Sequence, residues 1–168
     1  MDYGVTNRVG KWNQSDVNQL IRFASNLKIK TYDSAFAYGN AHEVLREAIE
    51  SSAENVSILT KSGSKNSSEL RQDLESAFNL FGDQLYGFSL HSFSQFENEE
   101  VRSEWNQIKD QYPSLRMGIS VYDDRELVAS LESGLFHFVQ ASGNIFNLNK
   151  VRRSLFSKYV SKGFEIHI

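Results

Sequence analysis

Six short segments rich in β-branched and aromatic residues recur along this chain, and amphipathic helical patterns separate them. The segments span residues 28–33, 56–61, 85–91, 116–122, 136–141 and 164–168. Strands that alternate with helices at intervals of roughly 20 to 30 residues are typical of repeated βα units, which form a parallel sheet with right-handed crossovers. The pattern therefore predicts an α/β fold of about six βα units. The 168 residues suffice for one substantial core, so a single domain spanning residues 1–168 is expected.

Capping residues and apolar spacing predict where the helices lie. Serine and aspartate side chains are favoured at helix starts because they accept hydrogen bonds from the first backbone N–H groups. The predicted helices start at Ser15, near Ala41, at Ser67 or Ser68, around Val101, at Asp123 or Asp124 and near Val151. The first is expected to place Val17, Leu20, Ile21, Ala24 and Leu27 on one face. Residues 3–14 are expected to be irregular, because glycine and asparagine interrupt every period.

Two architectures fit this alternation, and the ends of the strands choose between them. A doubly wound sheet usually carries a glycine-rich phosphate turn after its first strand, and this sequence contains no G-x-G-x-x-G or Walker-type segment. Polar residues whose side chains could take part in catalysis instead stand at the ends of successive predicted strands. Such strand ends are typical of a (β/α) barrel, in which the C-terminal rim of the strands carries the chemistry.

Four of these polar residues form a set suited to the reduction of a carbonyl group. Asp33 closes the first predicted strand, Tyr38 follows it just before a Gly-Asn turn signal, and Lys61 and His91 close the next two strands. A tyrosine hydroxyl has a reference pKa of about 10, and an adjacent ammonium group lowers that value by stabilising the phenolate. Asp33 would hold Lys61 in place, while His91 would hydrogen-bond the carbonyl oxygen and orient the substrate.

Each of the four residues also has a structural explanation when taken singly. Asp33 could cap a turn, Tyr38 could be a loop aromatic, Lys61 could be a solvated strand end and His91 could be a hydrogen-bonded histidine. Their joint occurrence, in order and at consecutive strand ends, favours the catalytic interpretation. The remaining histidines, at positions 42, 137 and 167, are expected to be structural or exposed.

Composition excludes several other classes of function. A net charge of −3 and an isoelectric point near 5.8 provide no basic field, so neither nucleic acid nor an anionic membrane is an expected partner. The absence of cysteine excludes disulfides, thiolate nucleophiles and cysteine zinc sites, and no metal-binding cluster is predicted. The sequence starts without a cationic leader and contains no apolar run of membrane-spanning length, so a soluble cytoplasmic protein is expected.

With these residues in place, the chain resembles the aldo-keto reductase family, NAD(P)H-dependent oxidoreductases on a TIM barrel. The matching segments are Tyr3–Asn7 with Gly10-Lys11, Tyr32–Ala35 with Ala37–Asn40, Leu59–Lys61, Leu90–Ser92 and Gly118–Tyr122. The resemblance implies that Tyr38 is the proton donor, that Lys61 and Asp33 tune it, and that His91 orients the substrate. Ser120 and Gln140 match the positions that hold the nicotinamide carboxamide of NADP(H) or NAD(H), although Val121 stands where the family often has asparagine.

The chain also departs from the family at both ends. Relative to the family, it starts after the first barrel strand and stops before the loop and strand that bind much of the cofactor's pyrophosphate and adenosine. We therefore expect an incomplete TIM (β/α) barrel whose affinity for the cofactor is weak or lost. Open sheet edges favour self-association, most simply as a homodimer. The alternative function is that of a truncated, inactive relative acting as an oligomeric scaffold or binding protein.

Overall fold

The computed structural model describes residues 10–52, 55–143 and 150–168. Within these ranges the chain forms six strands and seven α-helices that alternate along the sequence. The strands are β1 (Thr31–Asp33), β2 (Ser57–Ser62), β3 (Leu85–Leu90), β4 (Arg116–Val121), β5 (Phe138–Ala141) and β6 (Glu165–His167). The helices are α1 (Gln14–Asn26), α2 (Ala41–Ser52), α3 (Ser67–Phe81), α4 (Phe93–Glu97), α5 (Glu99–Gln111), α6 (Asp124–Glu132) and α7 (Lys150–Val160).

The strands lie side by side in chain order, and every adjacent pair is parallel. A doubly wound sheet would reverse its strand order at a switch point, whereas the strands of a barrel follow one another around its axis. The six strands therefore form a curled part of a barrel, and the predicted incomplete TIM (β/α) barrel is confirmed. Because all strands run the same way, their C-terminal ends meet at one rim.

The hydrophobic core lies between the outer face of the sheet and the helices. Phe88 in β3 and Ile119 in β4 are completely buried, as are Leu70 in α3 and Leu127 in α6. The ring of Trp105 in α5 stacks on that of Phe88, with centroids 6.0 Å apart. Burial of side chains of this size stabilises by about 1.5–3 kcal/mol each, which holds the helices on this face.

The ring of Phe138 in β5 packs against the concave face of the sheet. A Cβ atom at Gly118 would lie 2.1 Å from this ring, and one at Gly87 would lie 2.6 Å from Leu59 and 3.0 Å from the ring. The imidazole of His167 in β6 stacks on the Phe138 ring, with centroids 5.0 Å apart and an interplanar angle of 18°. Two glycines thus make room for one phenyl group to pack inside the partial barrel.

A hydrogen-bonded group of polar side chains crosses the same face nearer the N-terminal ends of the strands. Glu165 in β6 accepts hydrogen bonds from the hydroxyl of Tyr86 in β3 at 2.8 Å and from Arg116 in β4 at 2.7 Å. Burial alone would raise the pKa of Glu165, but Tyr86, Arg116 and His167 outweigh it and hold that pKa below its usual 4.5. These contacts tie the last strand to the middle of the sheet.

Helix positions agree with the prediction, with three differences in detail. The first helix is capped by Asn13 rather than Ser15, because the Asn13 side chain accepts from the N–H of Asp16 at 3.0 Å while the Asp16 carboxylate accepts from the N–H of Asn13 at 3.3 Å. Of its expected apolar face, Leu20 and Leu27 are exposed. The short helix α4 was not predicted at all. Residues 3–9, expected to be irregular, lie outside the described ranges.

Within residues 10–52, 55–143 and 150–168, no helix is long and apolar enough to span a membrane.

Gly118→Ala is expected to lower the free energy of unfolding by about 1–3 kcal/mol, because the added methyl group overlaps the Phe138 ring. Urea denaturation monitored by circular dichroism measures the change. Combining it with Phe138→Leu should recover part of the loss. Gly63→Ala serves as the control, since a Cβ atom there has no neighbour within 4 Å. Equal effects of Gly118→Ala and Gly63→Ala would contradict the packing described.

Glu165→Gln is expected to reduce the dependence of stability on pH in acid. A carboxyl group whose folded pKa is depressed stabilises the fold above its unfolded pKa, and this contribution disappears as pH falls through the folded value. The urea midpoint of the unmodified chain should therefore exceed that of the variant near neutral pH. The gap should close as pH falls below 4.5. A gap that stays constant from neutral pH into acid would show that Glu165 gains nothing from its partners.

Candidate active site

All six residues singled out from the sequence line one cavity at the C-terminal rim of the sheet. Its volume is about 270 Å³. The six residues come from five consecutive strands and the loops that follow them, and they are Asp33, Tyr38, Lys61, His91, Ser120 and Gln140. Val121, Tyr122 and Ile168 contribute much of the remaining wall. The parallel sheet in chain order brings these residues together, although up to 107 positions separate them in sequence.

The side chain of Lys61 is buried and forms an ion pair with Asp33. Only 3% of the lysine side chain is exposed, against 37% of the aspartate. β1 and β2 are neighbours, and the N–H of Ser34 donates to the carbonyl of Leu59 at 2.9 Å, so the two strand ends are fixed beside each other. A buried ammonium group without a partner would be strongly destabilising. Asp33 therefore supplies the anionic partner that the ammonium group of Lys61 needs inside the rim.

Tyr38 stands beside the ammonium group of Lys61 and the imidazole of His91. It ends a short 3-10 turn, Phe36–Tyr38, and Gly39 reverses the chain with a φ of +64°. The ammonium nitrogen lies 5.6 Å from the centre of the Tyr38 ring. The His91 ring lies edge-on to it, with centroids 5.8 Å apart and planes at 81°. A phenol, a cation and an imidazole thus share one wall of the cavity.

The surroundings of His91 favour the neutral form of its imidazole. Burial lowers its pKa from 6.5, the positive charge of Lys61 lowers it further, and the negative charge of Asp33 opposes both. A neutral imidazole has one N–H donor and one acceptor nitrogen. Near neutral pH, His91 can therefore donate a hydrogen bond to a polar group in the cavity without carrying a charge of its own.

Ser120 and Gln140 face each other on adjacent strands. They are paired in the register of β4 with β5, and the hydroxyl of Ser120 donates to Oε1 of Gln140 at 3.3 Å. A primary carboxamide has an acceptor oxygen and two N–H donors, and a hydroxyl with a side-chain amide can meet both needs. This pair therefore fits the carboxamide of a nicotinamide ring. Among the described residues that line the cavity, Lys61 is the only permanent cation, so this wall does not fit a pyrophosphate.

Behind the cavity, His42 links the turn that carries Tyr38 to the strand that carries Lys61. Its side chain is buried, its Nε2 lies 2.6 Å from the hydroxyl oxygen of Thr60, and its ring contacts that of Phe36 at 4.5 Å. Burial, chiefly, and the charge of Lys61 lower its pKa from 6.5. The sequence predicted a structural or exposed histidine, and the structure has it buried in this position.

Gln95 is a second residue behind the cavity, and the sequence-based reasoning passed over it. It lies in α4, where its side-chain oxygen accepts from the N–H of Ser92 at 3.0 Å. A serine followed three positions later by glutamine is the spacing of a helix capping box. That spacing, Ser92-Phe93-Ser94-Gln95, was the available signal for both the helix and the residue.

Comparison with known proteins shows a likeness in fold to solved structures. No protein-family model and no curated protein matches this sequence. Among solved structures, a protein of Pseudomonas aeruginosa assigned to the aldo-keto reductases has a TM-score of 0.79 at 20% identity, over 99% of this chain and 67% of that one. The holo form of an aldo-keto reductase from Bacillus halodurans scores 0.70 at 13% identity, over 96% of this chain and 61% of that one.

A third solved structure, an aldo-keto reductase from Klebsiella pneumoniae in complex with NADP and acetate, scores 0.68 at 16% identity, over 91% of this chain and 56% of that one. This chain therefore spans between roughly half and two thirds of the length of these relatives. The resemblance expected from the sequence is confirmed at the level of the fold. The chain has the fold of the aldo-keto reductases over the greater part of one barrel.

Proposed function

We propose that this protein is an aldo-keto reductase-like oxidoreductase that reduces an aldehyde or ketone with NADPH or NADH. The observation that carries the proposal is the convergence of Tyr38, Lys61, Asp33 and His91 on one cavity, beside a pair of side chains suited to a carboxamide. Each of these groups has a task in carbonyl reduction. The aldo-keto reductase fold agrees with this reaction class, but one fold hosts several chemistries, so the proposal depends on the site.

Ser120 and Gln140 would hold the nicotinamide end of the cofactor through its carboxamide. The chemistry that a bound reduced nicotinamide supplies is the transfer of a hydride to the carbonyl carbon of the substrate. The adenosine and phosphate end would need cationic groups that the described wall of the cavity lacks. Weak binding of the cofactor is therefore part of the proposal.

Tyr38 donates the proton that the reaction requires, and its neighbours stabilise the resulting phenolate. As the carbonyl carbon gains a hydride, the carbonyl oxygen takes the proton of the Tyr38 hydroxyl, which yields an alcohol and a phenolate. The ammonium group of Lys61 stabilises the negative charge of that phenolate, and Asp33 keeps the ammonium in place. Neutral His91 donates a hydrogen bond to the carbonyl oxygen and orients it toward Tyr38. Solvent returns the proton to Tyr38 after each turnover.

A second candidate function is that of an inactive relative that binds partners or serves as an oligomeric scaffold. The observation in its favour is that Lys61 is the only permanent cation among the described residues that line the cavity. Both candidates include self-association, most simply as a homodimer. In its support, the apolar side chains of Leu20, Phe23 and Leu27 on α1 are between 45% and 62% exposed, and β1 and β6 form the two edges of the sheet within the described residues.

Tyr38→Phe is expected to lower kcat by about 10²–10⁴-fold, because proton donation by a positioned side chain contributes that much. The affinity for NADPH, measured by calorimetric titration, should stay within about twofold, since a lost hydroxyl proton does not change how the carboxamide is held. Tyr112→Phe is a matched control, as Tyr112 lies at the opposite end of the sheet. Unchanged turnover in Tyr38→Phe would remove Tyr38 from the mechanism.

The same titration separates the two candidate functions. Saturable binding of NADPH in the micromolar range supports the reductase. No binding at millimolar cofactor supports the scaffold and contradicts the reductase.

Light scattering at micromolar concentrations is expected to give the mass of a homodimer, twice the chain mass of 19.2 kDa. Phe23→Glu should shift the protein toward the monomer if the apolar side chains of α1 are covered by the second copy, because a buried unpaired carboxylate is costly. Arg22→Glu, a charge change at an exposed neighbouring position, is the control. A strictly monomeric unmodified chain across this range would contradict self-association.

Single-domain organisation and a cytoplasmic location stay predictions.

A further inference from the structure

We propose that Gln95 is a positioning residue that fixes the strand ends carrying Lys61 and His91 relative to each other, an inference that rests on the proposed function. Gln95 does not line the cavity. Its side chain instead lies between the loop after β2 and the loop after β3, and only 9% of the residue is exposed. It acts through the backbone of both loops.

The side-chain oxygen of Gln95 holds the loop that follows β3. Oε1 accepts a hydrogen bond from the backbone N–H of His91 at 2.7 Å and another from that of Ser92 at 3.0 Å. The N–H of His91 also donates to the carbonyl of Ser62, at 3.1 Å, which is the last backbone contact between the two strand ends. The position of the His91 backbone is thus set by the sheet on one side and by Gln95 on the other.

The side-chain nitrogen of Gln95 holds the last residue of β2, next to Lys61, and the loop that follows it. Nε2 donates to the carbonyl of Ser62 at 3.1 Å and to the carbonyl of Ser64 at 2.8 Å. The hydroxyl of Ser62 in turn donates to Asp73 in α3 at 2.6 Å, so the loop is also attached to the helix layer. One amide therefore bridges two loops that are about 30 residues apart in sequence.

The four backbone partners fix the orientation of this amide. Two N–H groups face its oxygen and two carbonyls face its nitrogen. A flipped amide would instead place its NH₂ group against the N–H groups and its oxygen against the carbonyls. A glutamine side chain has capacity for these four bonds, and all are made. Glutamate can accept the two N–H groups but cannot donate to the carbonyls. Methionine has similar length and makes none of these bonds.

The chemistry at the rim depends on the distances that this bridge maintains. The ammonium group of Lys61 and the ring of His91 approach Tyr38 from two sides, at 5.6 and 5.8 Å from its ring centre. Displacement of a catalytic group by about 1 Å can cost on the order of 10²-fold in rate. The groups that face the His91 ring are Lys61, Asp33 and Tyr38, and a looser bridge would move His91 away from them and toward solvent.

The test compares Gln95→Met with the unmodified protein by NMR titration of the His91 imidazole, with His91→Asn identifying its signal. Burial and the nearby charge of Lys61 lower the pKa of His91, so loosening the bridge should raise that pKa toward 6.5. The substitution adds no charge that could move the pKa directly. An unchanged pKa of His91 in a folded Gln95→Met protein would overturn the inference.

Kinetics provide a second arm, in which Gln95→Glu retains the contacts to His91 and Ser92 but loses those to the loop after Lys61. The expected result is a fall in kcat of about 10²-fold with KM for the cofactor within about twofold. Gln107→Glu makes the same chemical change at an exposed position of α5 and should leave both parameters unchanged. Equal kinetics in Gln95→Glu and Gln107→Glu would count against the inference.

The two arms separate failure of this inference from failure of the proposed function. If the unmodified protein reduces no carbonyl compound, the proposed function fails, while the titration of His91 still decides whether Gln95 holds the rim together. Should Gln95→Met fail to fold, the same titration is made on Gln95→Ala, whose smaller side chain admits water to the bridge. A rise in the pKa of His91 supports the inference there too, and an unchanged value overturns it.

Discussion

The ion pair between Lys61 and Asp33 is the contact on which the candidate site depends. Its lysine is almost completely buried, and a buried ammonium group that has no anionic partner is strongly destabilising. The pair forms because β1 and β2 are adjacent and parallel, so that both strand ends reach the same rim. Burial lowers the pKa of His91, and the positive charge held there lowers it further and lies beside the ring of Tyr38. The electrostatics of the cavity therefore follow from the pairing of two strands.

The partial barrel packs its concave face with its own side chains. Phe138 fills the space above Gly118 and Gly87, and the contacts of Glu165 with Tyr86 and Arg116 cross from the last strand to the middle of the sheet. A parallel sheet normally has both faces covered. These side chains cover part of the concave face that the partial barrel would otherwise expose to solvent. They also hold β5 and β6, which carry one side of the cavity.

Much of the fold and of the candidate site could be predicted because both follow periodic signals. Apolar segments that each end in a polar residue located Asp33, Lys61 and His91 at strand ends, and the parallel sheet then brought them together. The strand pattern does not locate Gln95. Its capping-box spacing with Ser92 marks the residue at a helix start, whereas its bonds to the carbonyls of Ser62 and Ser64 leave no pattern in sequence. The exposure of Leu20 could not be predicted from the sequence either. Apolar spacing shows that a helix has an apolar face but not whether a neighbouring element covers that face.

Reduction with deuterium-labelled cofactor tests the central claim, that this rim reduces carbonyl compounds. The protein is incubated with NADPH carrying deuterium at the transferable position and with a series of small aldehydes, and the alcohols are analysed by mass spectrometry. We expect the unmodified protein to form alcohol with one deuterium on the former carbonyl carbon, and Tyr38→Phe to form none. Absence of labelled alcohol at millimolar cofactor, or equal labelling by both proteins, would contradict this claim.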